Sequence, residues 1–288
     1  MIPHNITKET YFSQEVEKEY LGSSSFKAWD MTNLGTEVFG NFVQGGCEAR
    51  ESAKRQGKWE DKGKEAFLVG SYIHAWSEGK EAFDKFIADN YTEIYQKNGK
   101  PYAAFVRADA MIETLRNSKL VQTVRDTKEK EMIMVGEISG QKFKIAVDII
   151  NLEKGYFADL KTTANIYKTG YKNGERVSFL GVYDYKMQFA IYAEIIRQNL
   201  GYDEGVWLDP FVIVVDKQEI PDHEVIYMGK HFIQEKLDEL ITKLPRIVAA
   251  RNGEVEPERC ERCDYCRSTK VLERPIGLDE FESKIGLY

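Results

Sequence analysis

KIAVDII at residues 144–150 and FADLKTT at residues 157–163 decide the fold. Both are short, dense in β-branched and aromatic residues, and followed or preceded by tight-turn pairs, Ser139-Gly140 and Lys154-Gly155. With the run at 131–138 they predict three strands, at 131–138, 142–150 and 156–161, joined as a meander. Side chains alternate along a strand. Phe143, Ile145 and Val147 therefore share one face and leave Asp148 on the other, while Asp159 and Lys161 point together and Leu160 points into the core.

Upstream of the meander, the first 125 residues read as largely helical. Ser23, Ser24 and Ser25 offer N-caps ahead of Phe26, although Gly35 and Gly40 interrupt the segment after Trp29. Further helices are expected at 47–56, 64–76, 81–88 and 102–116 from apolar residues at three- and four-residue spacing. After the meander come an amphipathic helix at 183–198, a strand at 207–215, a short strand at 225–228 and a long helix at 230–251. Proline is absent between Pro101 and Pro210, so nothing breaks these central elements. The expectation is one α/β domain over 1–288: a helical part (1–125), a catalytic sheet with helices (126–251) and a cysteine-rich tail (252–288).

Composition narrows the function. At 288 residues with 42% hydrophobic content, the chain is long enough for a sizeable core. Forty basic residues against 47 acidic give a net charge of −7, which argues against nucleic-acid binding by bulk charge alone. It leaves room for a nuclease, whose metal-binding carboxylates lower the net charge. No apolar stretch approaches the length of a membrane span and the N-terminus has no secretory pattern, so a cytoplasmic protein without a membrane partner is expected.

Asp148, Asp159 and Lys161 are the residues that carry chemistry in this pattern. Carboxylates hold a hard divalent cation, the cation polarises a phosphate and activates water, and a lysine orients that water or offsets charge. A surface cross-strand salt bridge is the plain alternative. His74, in the helix at 64–76, reads equally as a packed histidine; Glu78 follows one turn later. Gln188 and Tyr192 share a helix face, which reads as a polar edge with half-buried tyrosines. In the loop at 164–181, Lys168, Lys172 and Arg176 alternate with Tyr167, Tyr171 and Phe179, opposed only by Glu175. Such a loop can neutralise phosphates and stack on unpaired bases, or pack down as a solvated connection. Cys260, Cys263 and Cys266 present three thiols in seven residues, a spacing used for iron–sulfur or zinc ligation and otherwise left as reduced surface thiols. The one other cysteine is Cys47.

These motifs, in this order, resemble the PD-(D/E)XK nuclease superfamily, and within it the RecE-type phage and prophage exonucleases and their RecB-like relatives. YLGSSSFKAW resembles the N-terminal motif, VGSYIHAWSEG the metal-histidine helix, YDYKMQFAIYAEI the Gln-x-x-x-Tyr helix and EPERCERCDYCRSTK the cysteine tail. The resemblance implies a core of helix, three strands, helix and strand, the order read above. It implies that Asp148, Asp159, His74 and the Leu160 carbonyl hold Mg²⁺ or Mn²⁺, that Lys161 assists the attacking water, and that Gln188 and Tyr192 contact DNA or support Lys161. Thr162, Thr163 and Lys186 join Lys168, Lys172 and Arg176 as expected DNA contacts. Cys47 with the three C-terminal cysteines is implied to form an iron–sulfur staple, a [4Fe–4S] cluster, with Zn²⁺ as the alternative.

The expected function is a metal-dependent deoxyribonuclease, a 5′ to 3′ duplex exonuclease of phage-type recombination in a bacterial or infected host cell. Its expected partners are DNA and a single-strand annealing protein, with homo-oligomers open. The rivals are an iron–sulfur nuclease like the CRISPR-associated ones, acting on single strands or trimming ends, and a catalytically silent, metal-stapled DNA-binding subunit. A small-molecule enzyme lacks support, because neither a Gly-rich phosphate loop nor a nucleophile elbow is present.

Overall fold

A computed structural model describes residues 1–33, 36–38, 41–43, 45–61, 64–172 and 175–284. Gly35 and Gly40, expected to interrupt the segment after Trp29, lie outside the described residues. The N-terminal part contains α1 (Gln14–Glu19), α2 (Ser23–Trp29), a ribbon of β1 (Thr36–Val38) and β2 (Asn41–Val43), and α3 (Glu48–Arg55). Then come α4 (Lys64–Glu78), α5 (Lys80–Asp89), α6 (Tyr91–Ile94), α7 (Ala103–Asn117) and α8 (Lys119–Arg125). The three expected strands are β3 (Glu129–Ile138), β4 (Gln141–Asn151) and β5 (Tyr156–Thr163). A second ribbon, β6 (Thr169–Lys172) and β7 (Glu175–Ser178), and α9 (Phe179–Val182) lead into α10 (Tyr185–Leu200). The chain ends with β8 (Asp209–Asp216), β9 (His223–Tyr227), α11 (Ile233–Asn252), α12 (Asp264–Ser268) and α13 (Leu278–Lys284).

The main sheet runs β3-β4-β5-β8-β9. β3, β4 and β5 pair antiparallel as the meander, and β8 joins β5 in parallel after the crossover through α10. Helices cover both faces. On one side, Phe143, Ile145 and Val147 of β4 and Phe157 of β5 pack under α2, α10 and α11. On the other, Ala158 and Leu160 of β5 and Ile213 and Val215 of β8 pack against α4, α7 and α8. Burial on both faces explains why β4 and β8 are nearly continuous apolar runs rather than alternating ones.

Local chemistry sets the details. The three serines at 23–25 are not caps: they form the first turn of α2, whose N-cap is Gly22, because Ser25 Oγ instead donates to Glu17 at 3.0 Å. Gly136 lets α10 lie close on β3, since a Cβ there would meet Gln198 Oε1 at 2.5 Å and Ile195 Cδ1 at 2.7 Å. Asn199 Nδ2 donates to Val135 O at 2.8 Å and Gln198 Nε2 to Glu137 O at 2.8 Å, pinning α10 to the edge strand. The segment at 164–181, expected as a loop, is a ribbon and a helical turn. Its alternating Thr169-Gly-Tyr-Lys and Glu175-Arg-Val-Ser runs pair antiparallel. Asn173 and Gly174, between them, lie outside the described residues.

Candidate active site

The β4–β5 ladder stops early. Its last registered pair is Ile149 with Ala158, and beyond it the strands part. The next amide, Leu160 N–H, donates instead to Asp148 Oδ2 at 2.7 Å. Asp148 thus takes the place of a backbone acceptor at the mouth of the split. Directly across on β3 sits Glu131, in the gap between the registered pairs Lys130–Ile149 and Met132–Val147. Its φ of 50° puts a bulky L-residue in the left-handed region, a strained state that persists only where surroundings enforce it. Here the pleat changes parity: Val147 faces the α10 side, and Ile149, two residues on, faces the α4 side.

Three further elements, α4, β5 and α10, converge on that defect. From α4, His74 Nδ1 lies 3.3 Å from Asp148 Oδ2. One ligand atom from each of His74, Glu131 and Asp148 lies within 4.8 Å of the others. From β5, Lys161 Nζ lies 2.5 Å from Asp159 Oδ2 and 4.9 Å from the Tyr185 ring centroid. From α10, Gln188 Nε2 donates to Asp159 Oδ1 at 2.7 Å. Asp148 and Asp159 are only 9% and 2% exposed, so these charges act through little water.

The electrostatics show crowded negative charge. Burial and then Asp148 push Glu131 up to about 7. Burial likewise raises Asp159, against the pull of Lys161. Burial also acts upward on Asp148, but His74, Lys161 and the Leu160 N–H outweigh it and hold that carboxyl below its ordinary value. Burial lowers His74, yet Asp148 and Asp159 win and raise it to about 9. Lys161 stays firmly protonated, because its carboxylate neighbours outweigh its burial. Lys27 of α2, donating to Tyr183 O at 2.9 Å, is pushed down to about 8 by burial and then by Lys161.

Of the expected site residues, the structure brings His74, Asp148, Asp159, Leu160 and Lys161 together. It corrects others. Gln188 and Tyr192 are buried at 6% and 8% exposure; Gln188 packs beside the site and holds Asp159, and the ring that lies against Lys161 is that of Tyr185. Thr163 is buried, with its carbonyl accepting from Lys217 N–H, so its side chain is not a DNA contact; Thr162 is half-buried. Lys172 meets Asp184 at 3.6 Å, an opposing acid beyond Glu175. Arg176 Nε donates to Thr169 Oγ1 at 2.8 Å on the exposed ribbon that also carries Tyr171; Lys168 and Lys186 are exposed. Glu78 pairs with Lys8 rather than joining His74. Glu131 and Lys27 were missed. Glu131 was within reach: the Ser139-Gly140 turn fixes Ile138 opposite Gln141, and counting back places Glu131 opposite Asp148.

A cavity of about 340 Å³ opens on the cluster, lined by Lys8, Tyr11, His74, Glu78 and Glu131 among others. A larger one of about 490 Å³ lies away from the carboxylates, between α1, α2 and α3. Among the described residues, no helix is long and apolar enough to cross a membrane. Cys47 is brought to Cys260, Cys263 and Cys266, with all four sulfurs within 4.8 Å of one another.

Residues 22–269 match the family described as a PDDEXK-like domain of unknown function. A crystal structure from Eubacterium rectale, of a protein named provisionally as an exonuclease, is 33% identical and superposes with a TM-score of 0.83, covering 97% of this chain and 98% of that one. The structure of SSO0001 covers 80% of this chain and 96% of its own at 11% identity, but its TM-score of 0.28 carries no argument. No functionally curated protein matches the chain. Matched over most of its length and built on the meander, crossover helix and parallel strand described above, the chain belongs to this PDDEXK-like family of the PD-(D/E)XK superfamily.

Proposed function

We propose that the chain is a metal-dependent deoxyribonuclease whose centre is formed by Asp148, Asp159, Glu131, His74 and Lys161. The observation that carries this reading is the convergence of buried carboxylates from neighbouring strands on one imidazole and one ammonium. The donor set suits a hard divalent cation, Mg²⁺ or Mn²⁺: carboxylate oxygens dominate, and burial together with their mutual repulsion disfavours their charge where no cation is present. Asp148 and Asp159 would hold the ion with His74, Glu131 and the Leu160 carbonyl. When bound, it supplies Lewis-acid polarisation of a phosphate and a water acidified for attack.

The remaining work falls to the chain itself. Lys161, paired with Asp159 and raised by its carboxylate neighbours, is placed to act as a hydrogen-bond donor and a positive charge. Its position against Asp159 lets it orient water or meet phosphate oxygen as charge develops. Gln188 fixes the Asp159 rotamer, and the Leu160 amide fixes Asp148. Lys27 adds positive character beside Lys161. Lys168, Arg176 and Lys186, on exposed surface nearby in sequence, are proposed to meet the DNA backbone.

Digestion from a DNA end, 5′ to 3′ on duplex substrate, and partnership with a single-strand annealing protein rest on the resemblance to phage-type exonucleases and form the finer part of the proposal. The test is digestion of end-labelled linear duplex against covalently closed circles, with Mg²⁺ or Mn²⁺ and with EDTA. Metal-dependent loss of the linear substrate alone supports the full reading. Cleavage of circles replaces end-dependent action with internal cleavage. No cleavage under any condition, or cleavage unchanged in Asp159→Ala, overturns the assignment.

A further inference from the structure

We infer that Cys47, Cys260, Cys263 and Cys266 form a cage for one tetrahedral zinc ion, and not for the four-iron cluster that the resemblance implies. The size of the cage decides this. Cys47 Sγ lies 3.5 Å from Cys266 Sγ, and Cys260 Sγ lies 3.9 Å from Cys266 Sγ. All four sulfurs fall within 4.8 Å of one another. Zinc–thiolate bonds of about 2.3 Å in tetrahedral geometry place their sulfurs about 3.8 Å apart, between the two observed separations. A four-iron cube instead carries one thiolate on each iron, directed outward from the corner, which spreads the thiolates well past 4.8 Å. The sulfurs are also too far apart for a disulfide, and all four cysteines are free.

The backbone resists opening the cage to the larger size. Cys47 is the N-cap of α3, its Sγ accepting from Arg50 N at 3.4 Å. Cys263 is the N-cap of α12, its Sγ accepting from Cys266 N at 3.4 Å. Cys260 Sγ accepts from Cys263 N at 3.3 Å. These N–H donors favour thiolates and fix where three sulfurs point. Around them, Ala49 N–H donates to Glu258 O at 2.9 Å, and Arg259 donates to Cys266 O at 2.7 Å. Glu48 accepts from Arg246 at 2.9 Å and 2.6 Å and from Glu258 N–H at 2.8 Å, so the segment just before Cys260 is bolted to α3, and α3 to α11. Cys47, Cys263 and Cys266 are at 2% exposure or less, so the cage is closed to solvent, as a structural zinc site is. Zinc fits without redox chemistry: it clamps residues 219 positions apart and gives the tail no electron-transfer role.

This inference does not rest on the nuclease reading and is tested separately from it. The full chain is purified under argon from cells supplied with both iron and zinc. Metals, acid-labile sulfide and the visible spectrum are then measured. The expected result is one zinc per chain, no labile sulfide and no colour, with Cys47→Ser losing zinc as fully as Cys263→Ser. Replacing zinc by Co²⁺ in the wild-type chain, which needs no variant to fold, should give the intense visible bands of tetrahedral cobalt–thiolate. His74→Ala should keep its zinc, which separates this cage from the carboxylate centre. Four irons with four sulfides in a brown protein, one iron without sulfide, a metal-free chain with four reactive thiols, or zinc retained by Cys47→Ser would each overturn the inference.

Discussion

Glu131→Gln should make the metal-free protein more stable, an unusual sign for a substitution at a half-buried charged residue. In the folded, metal-free chain the Glu131 carboxyl is pushed up to about 7 by burial and by Asp148, from 4.5 in the unfolded chain. Below about pH 4.5 both states hold the proton and the glutamate costs nothing. Between 4.5 and 7 the unfolded chain ionises first and stability falls with rising pH. Above 7 the loss is complete. At about 1.4 kcal/mol per pH unit of separation the loss is on the order of 3 kcal/mol, and solvent at the cavity mouth brings it to about 2. Glutamine keeps the shape and removes the charge. With an unfolding entropy of roughly 2.1 cal/mol/K per residue over 288 residues, 2 kcal/mol raises Tm by about 3 °C.

The assay is thermal and denaturant unfolding of both proteins at pH 5 and pH 8, in EDTA and then in Mg²⁺. In EDTA the variant should gain at pH 8 and show a much smaller difference at pH 5. In Mg²⁺ the order should narrow or reverse, because the wild type gains from the ion through three carboxylates and the variant through two. If Glu131→Gln is less stable than wild type by 1 kcal/mol or more at pH 8 in EDTA, Glu131 is a structural residue. Equal Mg²⁺ stabilisation of the two proteins refutes its part in the metal centre.

Asp148→Asn, Asp159→Asn and Lys161→Ala should each reduce metal-dependent cleavage at least ~100-fold while circular dichroism stays native, as expected for charge lost at developing phosphate charge. Lys168→Ala and Arg176→Ala should weaken DNA binding without changing stability, and lower the slope of log K against log salt by about 1 each; an unchanged slope removes the ribbon from the DNA surface. Gly136→Ala should lower stability by about 1–3 kcal/mol, measured by urea unfolding, because its Cβ overlaps Gln198 and Ile195 of α10.

Much of the site was legible because strand alternation and tight turns are local rules. The faces of Asp159, Leu160 and Lys161 follow from alternation, and the meander follows from Ser139-Gly140 and Lys154-Gly155. Alternation failed at one place, the parity change at Glu131 and Asp148, because a left-handed residue in a strand leaves no signature in apolar patterning. Gln188 read as a polar helix edge because helical periodicity reports which residues share a face, not what that face is packed on; here it covers a buried carboxylate. The serines of α2 illustrate a different limit. Ser25 had a tertiary partner, Glu17, that overrode its capping preference. The nearness of Cys47 to the tail came from the family resemblance alone, since no local rule joins residues 219 apart.

The handling of buried acids elsewhere in the fold strengthens the case for a cation at the centre. Asp30 meets Lys243 at 2.8 Å, Glu48 meets Arg246 at 2.6 Å, and Glu51 meets Arg50 at 2.8 Å and Lys54 at 3.2 Å. Asp216, fully buried, accepts from the amides of Ile166, Gln218 and Asp222 and from the Gln218 side chain. Each therefore meets at least one cation or a set of N–H donors, the condition for burying a carboxylate without large cost. Asp148 and Asp159 are the other two buried acids among the described residues; each has one N–H donor, from Leu160 and Gln188, but with Glu131 they share one lysine and one histidine. Burial first, and then the nearness of Asp148, raises the Glu131 and Asp159 carboxyls. A sequence that compensates every other buried acid so fully leaves a deficit of positive charge at one point, beside an open cavity and a lysine held protonated. A divalent cation, as proposed for this centre, would close that deficit, whereas a further protein salt bridge would fill the space that a phosphate would need.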